Sequence, residues 1–425
     1  MKMLYDAFFI VFSVLYLPYF VVKGKWRGFS RQRFGIFPEE LLARIKGPCT
    51  IWLHAVSVGE VIASLPLYDE IRRNYPSARI VVSTVTPTGN HIARERFKGA
   101  AVIYLPLDIS FITDKVAQII KPKVLLIAET EIWPNLISSA KRSGAKIAIF
   151  NGRVSNKSFK NYSAVKSMLK KILKKIDLFL MQSRSDADRI ICLGAPDEKV
   201  KVSGNLKFDA ALTAGKADER EDFRKNLGLQ PDESLLIAGS THPGEEEIIL
   251  GGFRKLSREF PKLRLLIAPR HTERSPAVSG LVRSAGFKPR PVSKSGHSPS
   301  RIGEVYVLDV MGILARLYSA GDIVFIGGSF IRKGGQNPLE AAYYSKAILF
   351  GPHMHNFEGI AGALLSKKAA IRVSDKDDLV RSARMLLHDP DGRGAMGERA
   401  RSVLEANAGV AEKDLELIEP LIGKT

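Results

Sequence analysis

Short apolar runs and longer segments of helical spacing alternate along most of this chain. The runs at Cys49–His54, Arg79–Thr84, Val102–Leu105, Val124–Ala128, Lys146–Phe150 and Leu178–Met181 read as buried strands. A second series follows at Leu235–Ala238, Leu263–Ala268, Val305–Leu308, Asp322–Ile326, Ala347–Phe350 and Ala369–Val373. Strands interleaved with helices of roughly ten to fifteen residues predict βαβ units and a parallel sheet in each half. Periodicity lapses between Asn205 and Glu221, which predicts the interdomain linker there. Two doubly wound α/β domains joined by a linker suggest a ligand cleft between facing carboxyl edges of their sheets.

Three other stretches shape the picture. The run from Ala7 to Val22 is apolar except for Ser13 and Pro18, and Lys23, Lys25, Arg27, Arg31 and Arg33 follow it. No small-residue cleavage site follows, so the run predicts an uncleaved anchor whose basic flank keeps the rest on the cytoplasmic side. Between Lys157 and Ile176 one helix is expected, with Val165, Met168, Leu169, Ile172, Leu173 and Ile176 on its inner face and lysines outside. The Pro-, Ser- and Lys-rich stretch from Pro289 to Arg301 reads as a mobile surface loop. The division expected is an anchor and flank over residues 1–33 and domains over 34–210 and 211–425, with the last helices packing back across the junction.

Charge narrows the class of partner. Lys and Arg number 64 against 44 Asp and Glu, a formal net charge of +20 in 425 residues. Such an excess points to an anionic surface, a phosphorylated substrate or nucleic acid. No interleaved aromatic platform for bases accompanies the cations, which disfavours nucleic acid. Cys49 and Cys192 show neither metal spacing nor a disulfide framework and read as buried thiols.

Candidate chemistry sits where strands end. After His54 the chain turns small and polar, passes Gly59 and enters a helix whose first turn holds Glu60. A carboxylate there complements the helix dipole, and it also lies where open α/β sheets bind ligands. In the second half, Ile323–Phe330 runs into a glycine turn, a basic loop (Arg332 to Gly335) and then Gln336-Asn337-Pro338-Leu339-Glu340. Asn337 as N-cap, Pro338 at the first position and Glu340 three after the cap predict a helix start. Its N–H groups, with those of the preceding glycines, predict a phosphate site. Pro269-Arg270-His271 and Asp309-Val310-Met311-Gly312 should reach the same rim, Arg270 for a phosphate and the latter backbone for a base. His54 and His91 read as structural or hydrogen-bonding histidines.

Taken together, the motifs His54–Glu60, Glu129-Thr130-Glu131-Ile132-Trp133-Pro134-Asn135-Leu136, Gly204–Asp209, Ala268–His271, Met311-Gly312 and Gly334–Glu340 carry a family. The chain resembles the 3-deoxy-D-manno-octulosonic acid (Kdo) transferases, membrane-anchored lipopolysaccharide enzymes of the GT-B fold, over nearly its whole length. The resemblance implies transfer of Kdo from CMP-Kdo to a phosphorylated, acylated lipid A precursor at the anionic inner leaflet of the cell membrane. It implies Glu60 as general base, and Glu131 and Lys207 as stabilisers of the transition state. It further implies CMP held by Pro269, Arg270, Val310, Met311, Gly312, Asn337, Pro338, Leu339 and Glu340, with inversion, no metal and no cofactor. Ile313, Thr272, Met354 and His355 depart from the family pattern, and Ile313 bears on one donor contact. A GT-B enzyme using a UDP-sugar and a non-catalytic basic scaffold remain the other readings.

Overall fold

The computed structural model describes residues 5–7, 9, 11, 30–45, 50–214, 219–296 and 298–423. The chain divides into two compact units, residues 1–210 with 408–425 and residues 211–407. The first carries a seven-stranded sheet made of β1 (Thr50–His54), β2 (Arg79–Thr84), β3 (Ala101–Tyr104), β4 (Val124–Ala128), β5 (Lys146–Gly152), β6 (Leu178–Met181) and β7 (Val200–Val202). Its order is β3-β2-β1-β4-β5-β6-β7, and every pairing is parallel. The second carries β8 (Ser234–Thr241), β9 (Leu263–Pro269), β10 (Lys288–Pro291), β11 (Glu304–Val307), β12 (Ile323–Ile326), β13 (Ala347–Phe350) and β14 (Ala370–Arg372). Its order is β10-β11-β9-β8-β12-β13-β14, again parallel throughout.

Both orders reverse direction once. In the first sheet the chain works outwards from β1 and then returns to place β4 on the other side of it. In the second it works outwards from β8 and returns at β12. Loops on either side of such a reversal splay apart and leave a crevice at the carboxyl ends of the two central strands. Those crevices lie beyond β1 and β4 and beyond β8 and β12.

Strands buried on both faces need helices on both, and the apolar runs supply the contacts. In the first unit one face is packed by Trp52, Ile127, Ile137 and Phe179, and the other by Leu53, Leu126, Phe150 and Leu180. The C-terminal helix Val410–Ile422 adds Val410, Leu415, Ile418 and Ile422 to that second face. Gly204 allows the approach: at φ +128° it sits where an added Cβ would lie 2.7 Å from Val410 Cγ2.

Several expectations are corrected. Lys288–Pro291 is an edge strand, not part of a loop; prolines are tolerated at an edge, and its interior residue pairs run from Lys288↔Glu304 to Pro291↔Val307. The stretch after it is held, since Arg290 donates to the carbonyls of Ser295 (2.8 Å), Ser298 (2.6 Å) and Pro299 (3.1 Å). The Lys157–Ile176 segment is two helices, Asn156–Ser163 and Lys166–Leu173, and Val165 at the break is exposed. The expected linker contains the helix Lys207–Ala214. Cys192 is exposed, because it lies on the side of its helix opposite the buried Ala187 and Ile190. Cys49 and most of the apolar run from Ala7 to Val22 lie outside the described residues, among which no helix is long and apolar enough to cross a membrane.

The helix Val410–Ile422 makes a direct test of the first unit's core. Ile418→Ala, at a fully buried site, is expected to cost about 2–5 kcal/mol in denaturant unfolding of the full chain. A loss below about 0.5 kcal/mol would mean the helix is a surface appendage.

Candidate functional site

The crevice beyond β1 and β4 collects carboxylates. Ser57 caps the helix Val58–Asn74, accepting from Glu60 N–H at 3.4 Å. The Glu60 side chain turns back on the same cap, with Oε2 accepting from Val56 N–H at 2.7 Å and Oε1 from the Ser57 hydroxyl at 2.8 Å. It thus complements the helix start as the sequence suggests. Those two bonds favour the ionised form, and a cap alone would leave the carboxyl low. Glu60 is only 8% exposed, however. Burial first, and the charges of Glu129 and Glu131 after it, outweigh the bonds and push its pKa up to about 7.

Glu129 follows β4 directly and adopts φ +54°, a left-handed backbone that is uncommon outside glycine. The turn is held by Thr130 Oγ1, which bonds the main chain of Arg153. Glu131, two residues on, is partly buried, and burial followed by Glu129 raises its pKa. Beside it stands Tyr162, whose hydroxyl reaches the carbonyl of Thr130 at 3.4 Å.

Lys207 enters the cluster from the first turn of its helix. Asn205 Oδ1 accepts from Lys207 N–H at 3.0 Å, and Asn205 Nδ2 donates to Gln182 at 3.1 Å. Asn151, itself at φ +51°, accepts from Leu206 N–H on its side chain and from Gln182 Nε2 on its carbonyl. Held this way, Lys207 Nζ lies 3.4 Å from Glu129 Oε1, the two side chains 18% and 26% exposed. The structure therefore brings Glu60, Glu131 and Lys207 together and adds Glu129, which the sequence reading passed over. Its signals were its place as the first polar residue after a strand and its separation of two from Glu131.

His54 is fully buried, with Nδ1 3.0 Å from Ser83 Oγ, and burial lowers its pKa to about 4. His91 pairs with Glu95 on an exposed helix face. Neither belongs to the cluster.

The second unit's crevice holds the other predicted residues. Pro269 ends β9, and Arg270 N–H donates to Thr241 O at 2.9 Å while its side chain is exposed. The charge of Arg270 acts on both Glu340 and His242, so it lies near the Pro338–Glu340 segment and the end of β8. Burial pushes the Glu340 carboxyl up to about 7 against the pull of Asn337 and Arg270. Met311 is 75% exposed and Gly312 has φ +80°, on a turn whose Asp309 accepts from Ser293 N–H. Val310 precedes them on the same turn and is half-buried.

Two details of the expected phosphate site are corrected. The helix after Asn337 is a single turn, Leu339–Tyr343; Asn337 Oδ1 does accept from Leu339 N–H at 3.1 Å, but Glu340 does not close a capping box on the main chain and instead meets the Asn337 side chain. The glycine-turn N–H groups are already engaged: those of Gly328, Ser329 and Phe330 donate to Glu245, and those of Gly335 and Gln336 to the carbonyls of Gly328 and Gly327. Among the described residues no group of three or more His, Cys, Asp or Glu is placed to hold a metal ion.

A sequence profile described as 3-Deoxy-D-manno-octulosonic-acid transferase (kdotransferase) matches residues 30–210. The 3-deoxy-D-manno-octulosonic acid transferase of Haemophilus influenzae is 34% identical over 406 residues, covering 95% of this chain and 93% of that protein. This chain belongs to the Kdo transferase family. The Kdo transferase of Chlamydia muridarum is 33% identical over 417 residues, covering 96% of this chain and 94% of its own. Among solved structures, a glycosyltransferase from Rickettsia africae matches with a TM-score of 0.60 at 12% identity, over 88% of this chain and 99% of that one. UDP-GlcNAc 2-epimerase from Neisseria meningitidis matches with a TM-score of 0.62 at 12% identity, over 87% and 99%. At such identities these two matches speak to fold alone, and both fit a GT-B-like pair of parallel-sheet units.

The raised pKa of Glu60 in this Kdo transferase has a consequence for stability. The folded state holds that proton more tightly than an unfolded glutamate, whose value is 4.5. The contribution is therefore complete below about 4.5 and is lost as pH rises through about 7. Comparing wild type with Glu60→Gln by denaturant unfolding at about pH 5 and about pH 8, wild type should lose about 1–3 kcal/mol relative to the variant. An unchanged difference would show that Glu60 titrates as it does in the unfolded chain.

Proposed function

We propose that this chain transfers Kdo from CMP-Kdo to a hydroxyl of a phosphorylated, acylated lipid A precursor, with Glu60 as general base. The observation that carries the reading is a carboxylate with a pKa near 7 at the switch point of the first sheet. A base poised near the working pH combines a useful ionised fraction with enough affinity for the proton it must take. In the displacement, the acceptor oxygen bonds to the anomeric carbon of Kdo as its proton passes to Glu60. The bond from that carbon to the CMP phosphate breaks, and its electron pair leaves with CMP. Attack on the face opposite the leaving group inverts the anomeric centre.

The other residues take roles that match the charges involved. The sugar gains positive character as the bond to CMP lengthens, and the Glu131 carboxylate stabilises it. Lys207 offsets the charge gathering on the phosphate, and its pairing with Glu129 holds its ammonium in place meanwhile. On the second unit, Pro269 and Arg270, the turn Val310-Met311-Gly312 and the segment Asn337-Pro338-Leu339-Glu340 hold CMP. Arg270 supplies the cation for the phosphate, the N–H groups of Gly328 and Gly335 being engaged within the protein. The reaction so written uses no metal and no cofactor.

The same reading sets the enzyme on the cytoplasmic face of the inner membrane, with the apolar run through Val22 as anchor and the following cations on the anionic leaflet. Tyr5 donates to Asp108 at 2.9 Å, and Asp6 accepts from Ser110 N–H at 3.1 Å and Asn135 Nδ2 at 2.7 Å. These bonds tie residues 5 and 6 to the starts of the helices Ser110–Ile120 and Pro134–Arg142 of the first unit.

Transfer from CMP-Kdo to a tetraacylated lipid A precursor, followed by mass spectrometry, tests the proposal. Wild type should yield Kdo-bearing product, with kcat/KM rising tenfold per pH unit up to about 7 and levelling above it. Glu60→Ala should lose about 10²–10⁴ in kcat while binding CMP as wild type does. Arg270→Ala and Asn337→Ala should instead weaken CMP binding. Wild type that makes no product, or that prefers UDP over CMP, would sink the substrate assignment.

A further inference from the structure

The second sheet's switch point contains an anion of its own. Glu245 begins the helix Glu245–Glu259 after β8, and its side chain is fully buried. Its carboxylate accepts from four backbone N–H groups: His242 at 3.0 Å, Gly328 at 2.6 Å, and Ser329 and Phe330 at 2.9 Å each. Three of these are consecutive residues of the glycine turn after β12. A run of N–H groups converging on one point is a ready anion site, and here the protein fills it with its own carboxylate.

That bond set continues outward. With the N–H groups of the turn fixed from below, the carbonyls of Gly327 and Gly328 accept from Gln336 at 3.1 Å and from Gly335 at 2.9 Å. Gln336 Nε2 in turn lies 3.3 Å from Nε2 of His242, whose own N–H rests on Glu245. Asn337 to Glu340 follow directly. The close packing leaves the turn no slack: a Cβ on Gly327 would fall 2.5 Å from the carbonyl oxygen of Ser240, and Gly328 has φ +67°. Every partner of Glu245 donates, so only the ionised side chain satisfies all of them; an amide in its place would set an NH₂ against N–H groups.

We propose that Glu245 is a positioning residue for nucleotide-sugar binding: by occupying the glycine turn it fixes, through Gly327, Gly328 and Gln336, the segment Asn337–Glu340 that receives CMP. This rests on the reading of that segment as the donor site. The donor's phosphate therefore meets the Arg270 side chain and not the N–H groups of Gly328 and Gly335.

A neighbour provides the control. Glu246 is as deeply buried and lies in the same helical turn, but it bonds Thr241 Oγ1 at 3.0 Å and Arg274 at 2.8 Å, and not the glycine turn. In the full-length enzyme, Glu245→Gln is expected to raise KM for CMP-Kdo and Kd for CMP about tenfold or more, with KM for the lipid acceptor within twofold of wild type. Glu246→Gln should lower the unfolding midpoint comparably and leave the CMP constants within about twofold. Should Glu245→Gln not fold, Gly328→Ala disturbs the same turn from its other side and is expected to give the same split. Equal effects of the two glutamate variants on CMP, or a Glu245→Gln or Gly328→Ala enzyme that binds CMP normally, would overturn the proposal. Asn337→Ala separates the two layers. If it too leaves CMP binding unchanged, the donor assignment itself is wrong; if it weakens binding while Glu245→Gln does not, only the positioning role fails.

Discussion

Burial of Glu60 against the pull of two hydrogen bonds is the constraint on which the first unit's chemistry depends. Val56 N–H and the Ser57 hydroxyl would keep the carboxylate ionised at any ordinary pH. Removal from water and the nearness of Glu129 and Glu131 act the other way and prevail. The balance needs a crevice narrow enough to exclude solvent yet reached by three carboxylates. The reversal of strand order between β1 and β4 supplies one, with Glu60 in the first helical turn after one strand and Glu129 on the loop after the other.

Many of the motif residues do not touch this chemistry but hold the chain that carries it. In Gly204-Asn205-Leu206-Lys207-Phe208-Asp209, Gly204 admits the C-terminal helix and Asn205 caps the turn that presents Lys207. Asp209 accepts from Gly409 at 2.9 Å and Val410 at 3.2 Å, and so fastens the start of that helix. Glu245 does the corresponding work in the second unit. In each case a buried polar side chain satisfies main-chain groups that irregular backbone leaves open, the condition for placing a loop at a strand end without losing its shape.

The inner strands were legible because the sheets are covered on both faces there, which turns them into apolar runs. Candidate residues stood out where a motif sits at the end of such a run, as with Glu60 and Arg270. What escaped the sequence depended on contacts far along the chain. The glycine turn looked like an open phosphate site because the carboxylate that fills it lies 83 residues before Gly328. Glu129 was passed over because its neighbour Glu131 has the same chemistry, and only the fold shows which of them meets Lys207. Lys288–Pro291 was hidden by prolines that an edge strand tolerates, and Cys192 by the apolar residues beside it in sequence but not in space.

The titration of Glu60 itself is the most direct test. With glutamate labelled at Cδ and the resonance assigned by Glu60→Gln, carbon NMR across the pH range should show a midpoint near 7 in the folded protein. The midpoint should fall when Glu129→Gln removes the neighbouring charge. A midpoint near the ordinary 4.5, indifferent to Glu129, would contradict the account, because Glu60 would then be a helix cap and nothing more.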